Sequence, residues 1–234
     1  MILYVNGDSH AAAAEAVNPY AFAEDDPAYF FSGRRPHPDN LVASWAKQLS
    51  QTLSSALHLD AESASSNARI MRTTRAWLAE RADTVHNVLV IIQWSTWERE
   101  EWEYDGVIYQ VNGSGIDHVP PEAVDRYKNF IINLDWKKKT QEAHDEIWAF
   151  HQELKKQKIR HIFVNGNNDF SKIAKQKKWG TDYIGPYNPA QTYNALIRAQ
   201  RIETVAPNSW HFGKDGHSFF HRFMLQYIIA NKYI

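Results

Sequence analysis

The sequence predicts a three-layer α/β/α sandwich with a mostly parallel central sheet, and three observations carry that reading. Short, wholly apolar runs of strand length recur, chiefly Met1 to Val5 and Val88 to Ile92. Uninterrupted runs of this kind belong to strands buried on both faces of a parallel sheet. Between the runs lie stretches whose apolar residues fall at helical spacing, and an alternation of strand with helix builds helical layers on both sides of one sheet. With 234 residues, no internal repeat and no low-complexity segment, one domain spanning residues 1–234 is the expectation.

Taken in order, Met1 to Val5 is the first strand, ended by the turn formers Asn6-Gly7-Asp8. The Ala-rich run Ala11 to Val17 reads as the start of a helix, because Ala is the best helix former. Asn18 to Asn40 is irregular, with Pro27, Pro36 and Pro38, and its pair Arg34-Arg35 is either solvated charge or a hold on an acidic group. Asp39 or Asn40 caps a helix with Leu41, Trp45, Leu49, Leu53 and Leu57 on one face, and His58 to Ala61 is a candidate second strand. Ser65, Ser66 or Asn67 caps a helix from Arg69 to Arg81 with a stripe of Ile70, Thr74, Trp77 and Leu78.

The strongest strand, Val88 to Ile92, empties into a stretch from Trp94 to Trp102 in which Trp94, Trp97 and Trp102 stand among charged residues. Such a stretch, just past a strand's C-terminal end, reads as a ligand-facing loop. Residues 98–134, including a hairpin within Asp105 to Ser114 and a helix near Glu122 to Ile132, read as an insertion over the active edge, too poor in apolar residues for a core of its own. Asp135 caps a helix from Trp136 to Lys158 with Trp136, Ala143, Ile147, Phe150 and Leu154 on its buried face. The strand Arg160 to Val164, a helix Tyr193 to Gln200, a last short strand Ile202 to Val205 and a closing helix His217 to Asn231 complete the chain.

Composition narrows the function. A net charge of −1 leaves no basic excess to neutralise phosphates, so nucleic acid is not an expected partner. The absence of cysteine removes disulfides, thiolate catalysis and cysteine-held metals. No metal or other cofactor is expected. Neither a signal peptide nor a membrane-spanning stretch is read, which points to a cytoplasmic or virion-associated protein with no membrane partner. The oligomeric state is open.

Ser9 follows the first strand, and open α/β sheets bind ligands at that edge. A serine there is either a nucleophile whose own N–H serves a developing oxyanion, or the N-cap of a helix. A partner for it stands near the end of the chain, in Asn208-Ser209-Trp210-His211-Phe212-Gly213-Lys214-Asp215-Gly216-His217. Together with Gly7-Asp8-Ser9, this block resembles the SGNH/GDSL hydrolase family. The strings Ser66-Asn67-x-Arg69-Ile70 and Trp94-Ser95 with Arg99-Glu100 resemble a divergent, bacteriophage-type branch of it.

The resemblance implies a serine ester hydrolase with Ser9 as nucleophile and His211 as base. It also shows where this chain departs from the family. The family's acid lies three residues before the histidine, and here that residue is Asn208, which implies a Ser–His dyad or a weak triad unless Asp169 or Asp182 supplies the acid. The family's oxyanion glycine is replaced by the turn Ser63-Ala64-Ser65-Ser66-Asn67, so a backbone N–H of Ser65 or Ser66 is the expected donor. The family's oxyanion asparagine is missing after the central strand, leaving Asn67, Ser95 or the Trp97 indole as side-chain candidates. Trp94, Trp102 and Arg69 are candidate substrate-binding residues. The expected substrate is a small-molecule or saccharide ester, most specifically an acetylated saccharide that is O-deacylated. The alternative is a catalytically degenerate SGNH fold acting as a binding or structural module, for example in a phage particle.

Overall fold

The computed structural model describes residues 1–21, 35–113, 115 and 119–234. Arg34, Pro27, Ser114 and the other sequence-based expectations that fall between these ranges lie outside the described residues. Strands β1 (Ile2–Asn6), β2 (Ala56–Leu59) and β3 (Val88–Trp94) are followed by β4 (Glu100–Tyr104), β5 (Val107–Val111) and β6 (Arg160–Asn165). The central sheet has the order β2-β1-β3-β6, and all its pairs are parallel. Val5 lies opposite both Leu59 and Ile91, and Ile91 opposite Ile162.

Because side chains alternate along a strand, this register splits the core in two. Leu3, Val5, Leu89, Ile91, Ile162 and Val164 face one side, where helices α2 (Trp45–Thr52), α6 (Tyr193–Arg198) and α7 (Lys214–Ala230) cover them. Tyr4, Val88, Val90, Ile92 and Phe163 face the other, under α3 (Asn67–Ala79) and α5 (Trp136–Lys156). Each fully buried aliphatic side chain contributes roughly 1.5–3 kcal/mol, and all seven residues of β3 are buried. The expected three-layer α/β/α sandwich is therefore the observed one. Among the described residues no helix is long and apolar enough to cross a membrane.

Several elements differ from expectation for local reasons. The helix expected from Leu41 breaks at Ser44, which is extended (ψ 145°) and caps the next turn by accepting from the Lys47 N–H; α1 (Pro38–Ala43) and α2 result. Ala11 to Val17 forms no helix but a series of turns, buried through Ala14, with Ala13 and Glu15 in the left-handed region (φ 57° and 61°). Ile202 to Val205 adds no strand to the sheet; Thr204 makes a single bridge to Phe212 instead. The hairpin is β4 with β5, joined by Asp105-Gly106, both at positive φ as a two-residue hairpin turn requires. With α4 (Val124–Ile132) it encloses a small core of its own, Trp102, Val111, Val119, Ala123 and Tyr127, which the sequence reading had not foreseen. Trp136, expected on the buried face of α5, is 48% exposed.

Two histidines are locked into this interior as neutral rings. Burial pushes His217 of α7 down to about 3 and His10, in the turn after β1, down to about 4. The unfolded chain takes up these protons near the ordinary value of 6.5, while the folded chain refuses them until far lower pH. Stability is therefore fully present above pH ~6.5 and is lost as the pH falls, by about 1.4 kcal/mol per pH unit for each histidine. Urea unfolding at pH 7 and pH 5 should show this loss. A double variant His10→Gln, His217→Gln should flatten the slope, and an unchanged slope in that variant would contradict the assignment.

Candidate active site

The site is built where β1 ends. Asn6 turns its amide inward, donating to Tyr4, Thr73 and the Ile70 carbonyl, while its Oδ1 accepts from the Gly7 N–H at 2.8 Å. A Cβ at Gly7 would stand 2.8 Å from Ala11 Cβ and 2.9 Å from the Gln93 carbonyl oxygen, so the turn closes only on glycine. Asp8 is buried, and every oxygen is engaged. Its Oδ1 accepts from the His10 N–H (3.1 Å), and its Oδ2 from Ser95 Oγ (3.0 Å) and Arg99 Nη1 (3.1 Å). Burial raises the Asp8 carboxyl, but His10, Arg99 and these hydrogen bonds outweigh it and hold the group below its usual range. Asp8 is thus an ionised anchor that ties the end of β1 to the turn after β3.

Ser9 begins a single turn. Ala12 N–H donates to the Asp8 carbonyl, and Ala14 N–H to the Ser9 carbonyl across the left-handed Ala13. This is a single helix-like turn ended by a left-handed residue. The second left-handed residue, Glu15, carries its side chain to the His211 loop. Glu15 Oε2 accepts from Ser209 Oγ at 2.6 Å and lies 2.9 Å from His211 Nδ1. Burial raises this carboxyl, but the hydrogen bonds from Ser209 and His211 prevail and set it below its ordinary value. Glu15 therefore stays ionised at neutral pH, which places the His211 proton on Nδ1 and the lone pair on Nε2. The His211 loop is itself fixed, because Val205 N–H donates to the His211 carbonyl and His211 N–H donates to Ser209 Oγ.

Ser9 and His211 line one cleft of about 610 Å³, with His10, Ala64, Arg99 and Trp210 also in its wall. Among the described residues no hydrogen bond joins Ser9 Oγ to His211. His10 accepts from Asn167 Nδ2 through Nε2 (3.1 Å), and Asn167 Oδ1 in turn accepts from Asn194.

The expected oxyanion groups are mostly spoken for. Ser65 N–H donates to the Glu62 carbonyl, and Ser66 N–H to Gln110 Oε1 (2.9 Å), while Ser66 Oγ caps α3 by accepting from Arg69 N–H. Asn67 is bound head and tail to the backbone of Ser95. Trp97 is buried against Phe170, their rings stacked at 4.8 Å, and is not in the cleft wall. In the same turn Ala64 adopts φ 67°, a conformation that ordinarily favours glycine, and it reaches the cleft.

The expected substrate residues are interior ones. Trp94 is fully buried between Phe150 and Phe163, Trp102 belongs to the hairpin core, and Arg69 is clamped by Asp60 and by Glu62 at 2.6 Å. The Trp94 side chain continues the alternation of Val90 and Ile92, which carries it under α5 and away from ligand. Asn208 is exposed and makes no bond to His211. Asp169 accepts from the Ser171 N–H, and Asp182 from Tyr233. Among the described residues none of the three contacts His211, whose Nδ1 faces Glu15 instead. Sequence reasoning missed Glu15, because it was placed inside a helix, and gave no role to Ala64 or to the cleft-lining Arg99, Trp136 and Trp210. The Asp–Ser pair at a strand end followed by an acid seven residues after Asp8 was the available signal.

No family model matches the chain, and no curated protein matches it. Among solved structures it is similar to a protein from Desulfitobacterium hafniense DCB-2 assigned to the lipolytic G-D-S-L family, at 12% identity and TM-score 0.42, over 97% of this chain and 98% of that one. At that TM-score the fold assignment stands on the strand pairing above and not on the likeness.

Breaking a largely buried ion pair leaves an uncompensated charge, at a cost of about 3–5 kcal/mol. Arg99→Met should therefore destabilise the fold by about 3 kcal/mol through the stranded Asp8, and adding Asp8→Asn should recover much of that loss. Additive losses in a denaturant double-mutant cycle would contradict the pairing.

Proposed function

We propose that the chain is a serine ester hydrolase in which Ser9 is the nucleophile, His211 the general base and Glu15 the acid, acting on an acylated saccharide. The observation that carries this reading is the His211 Nδ1 to Glu15 Oε2 contact of 2.9 Å in the cleft that Ser9 lines. The affiliation with the SGNH family and its phage-type branch belongs to the same proposal and rests on Gly7-Asp8-Ser9 and the block from Asn208 to His217.

In this reaction Ser9 Oγ attacks the ester carbonyl as its proton passes to His211 Nε2. Glu15 stabilises the imidazolium without taking the proton. The oxyanion falls to the N–H groups of Ser9 and Ala64, neither of which donates to another group among the described residues, with Arg99 in the same cleft wall. Collapse expels the alcohol, which takes the proton from Nε2. Water then repeats the sequence on the acyl-enzyme, releasing the carboxylic acid and restoring Ser9. The steps call on no cofactor.

The saccharide reading rests on the cleft wall. Trp136 and Trp210 line it and are 48% and 69% exposed, offering flat apolar faces that suit sugar rings. They take the part that the sequence reading gave to Trp94, Trp97 and Trp102. A second reading, the degenerate binding module, is favoured by one observation: Ser9 and His211 are not hydrogen-bonded to each other. Catalytic hydrogen bonds often tighten only with substrate bound, so that observation leaves the enzyme reading ahead.

The test is kinetic. Acetate should be released from an acetylated polysaccharide more efficiently than medium-chain nitrophenyl esters are cleaved. Glu15→Gln, which keeps the shape and removes the charge, should lower kcat by about a hundredfold or more, while Asn208→Ala and Asp169→Ala should change it little. Preference for the longer acyl chains would overturn the saccharide. An unchanged rate in Glu15→Gln would overturn the triad.

A further inference from the structure

A second cluster lies at the opposite, N-terminal edge of the sheet, where nothing in the proposed reaction reaches. His151 of α5, His161 near the start of β6 and Asp182 of the single 3-10 turn Gly180–Asp182 converge there, and one ligand atom from each lies within 4.8 Å of the others. His151 Nδ1 and His161 Nε2 are 2.8 Å apart, and both rings are buried. His161 Nδ1 is 2.8 Å from the Ile159 carbonyl oxygen. Only an N–H satisfies a carbonyl, so the His161 proton sits on Nδ1 and the lone pair of Nε2 points into the cluster.

We propose that His151, His161 and Asp182 bind a divalent transition-metal ion, with zinc as the reference ion. This departs from the expectation, drawn from composition, that the chain uses no metal. Two imidazoles and one carboxylate form a borderline donor set of the kind that holds zinc, cobalt or nickel. With metal–nitrogen bonds of about 2.0–2.1 Å, the observed nitrogen separation subtends nearly a right angle at the ion, and a small opening makes it tetrahedral. Two of the three ligands already have an outer partner. His161 is oriented by the Ile159 carbonyl, and Asp182 Oδ1 accepts from Tyr233 at 2.8 Å, the outer-shell pattern that fixes metal ligands.

Entry is open on one side. The Asp182 side chain is 21% exposed, and Lys155 Nζ, 3.4 Å from its Oδ2, is on a side chain exposed enough to swing out. The ion would join α5, β6, the 180–182 turn and, through Tyr233, the end of the chain, so its role is structural. The competing arrangement is a plain His151 to His161 hydrogen bond between neutral rings, which needs no carboxylate nearby.

The experiment uses the full chain, stripped with a chelator and dialysed, with zinc chloride alone as the probe. The proposal expects saturable binding of one zinc per chain and a higher melting temperature with zinc. Asp182→Asn, which keeps an acceptor for Tyr233, should weaken binding at least tenfold, and Tyr233→Phe about tenfold. Lys155→Ala should preserve or tighten it. His211→Ala controls for zinc taken up in the cleft. Absence of a saturable site, binding unaltered by Asp182→Asn, or binding abolished by His211→Ala would each overturn the proposal, and none of these results bears on Ser9.

Discussion

The close approach of Gly7 to Ala11 and to the Gln93 carbonyl fixes where Asp8 and Ser9 leave the first strand. It brings the end of β1 against the end of β3 with no side chain between them, and the Asp8 carboxylate can then reach Ser95 and Arg99 across the gap. Once Asp8 is held, Ser9 starts its turn at a fixed height above the sheet. The small, fully buried residues Ala11 to Ala14 let that turn lie on the core instead of running out as a helix. Glu15 emerges from it toward His211. A larger residue at Gly7 would have to push Ala11 or the β3 backbone aside, displacing Ser9, the Asp8 anchor and the Glu15 side chain together.

The site separates its charges by how each is paired. Asp8 is matched by Arg99 and never faces ligand, whereas Glu15 is matched by His211 at the cleft wall. His10 lies between the two, its ring 5.4 Å from that of His211, and burial keeps it neutral. In the proposed reaction a second cationic ring there would oppose formation of the His211 imidazolium. A neutral one that is spent on Asn167 does not.

How much of this was legible in the sequence follows from which forces decide each part. The strands were legible because Met1 to Val5, Val88 to Ile92 and Ile162 to Val164 are apolar runs whose burial dominates their energetics. The capping residues Ser66 and Asp135 were legible because their hydrogen bonds are local. Ala11 to Val17 departs from a helix because, although intrinsic propensity favours one there, burial of Ala11 to Ala14, with Ala11 and Ala12 in the core beside the sheet, favours turns. That departure hid Glu15, whose left-handed backbone has no sequence signature in a non-glycine residue. The tryptophans after β3 were misplaced for a related reason. Their charged neighbours suggest exposure, but Glu100 and Glu101 pair with Lys139 and Arg72, leaving the indoles free to fill cores.

The central claim is that Ser9 is a nucleophile activated by His211 and Glu15. Reaction of the folded protein with a fluorophosphonate, followed by peptide mapping, tests it most directly. The account predicts one adduct, on Ser9, formed much more slowly in His211→Ala and Glu15→Gln. No adduct on Ser9 in folded protein, or an adduct whose rate ignores both substitutions, would contradict it.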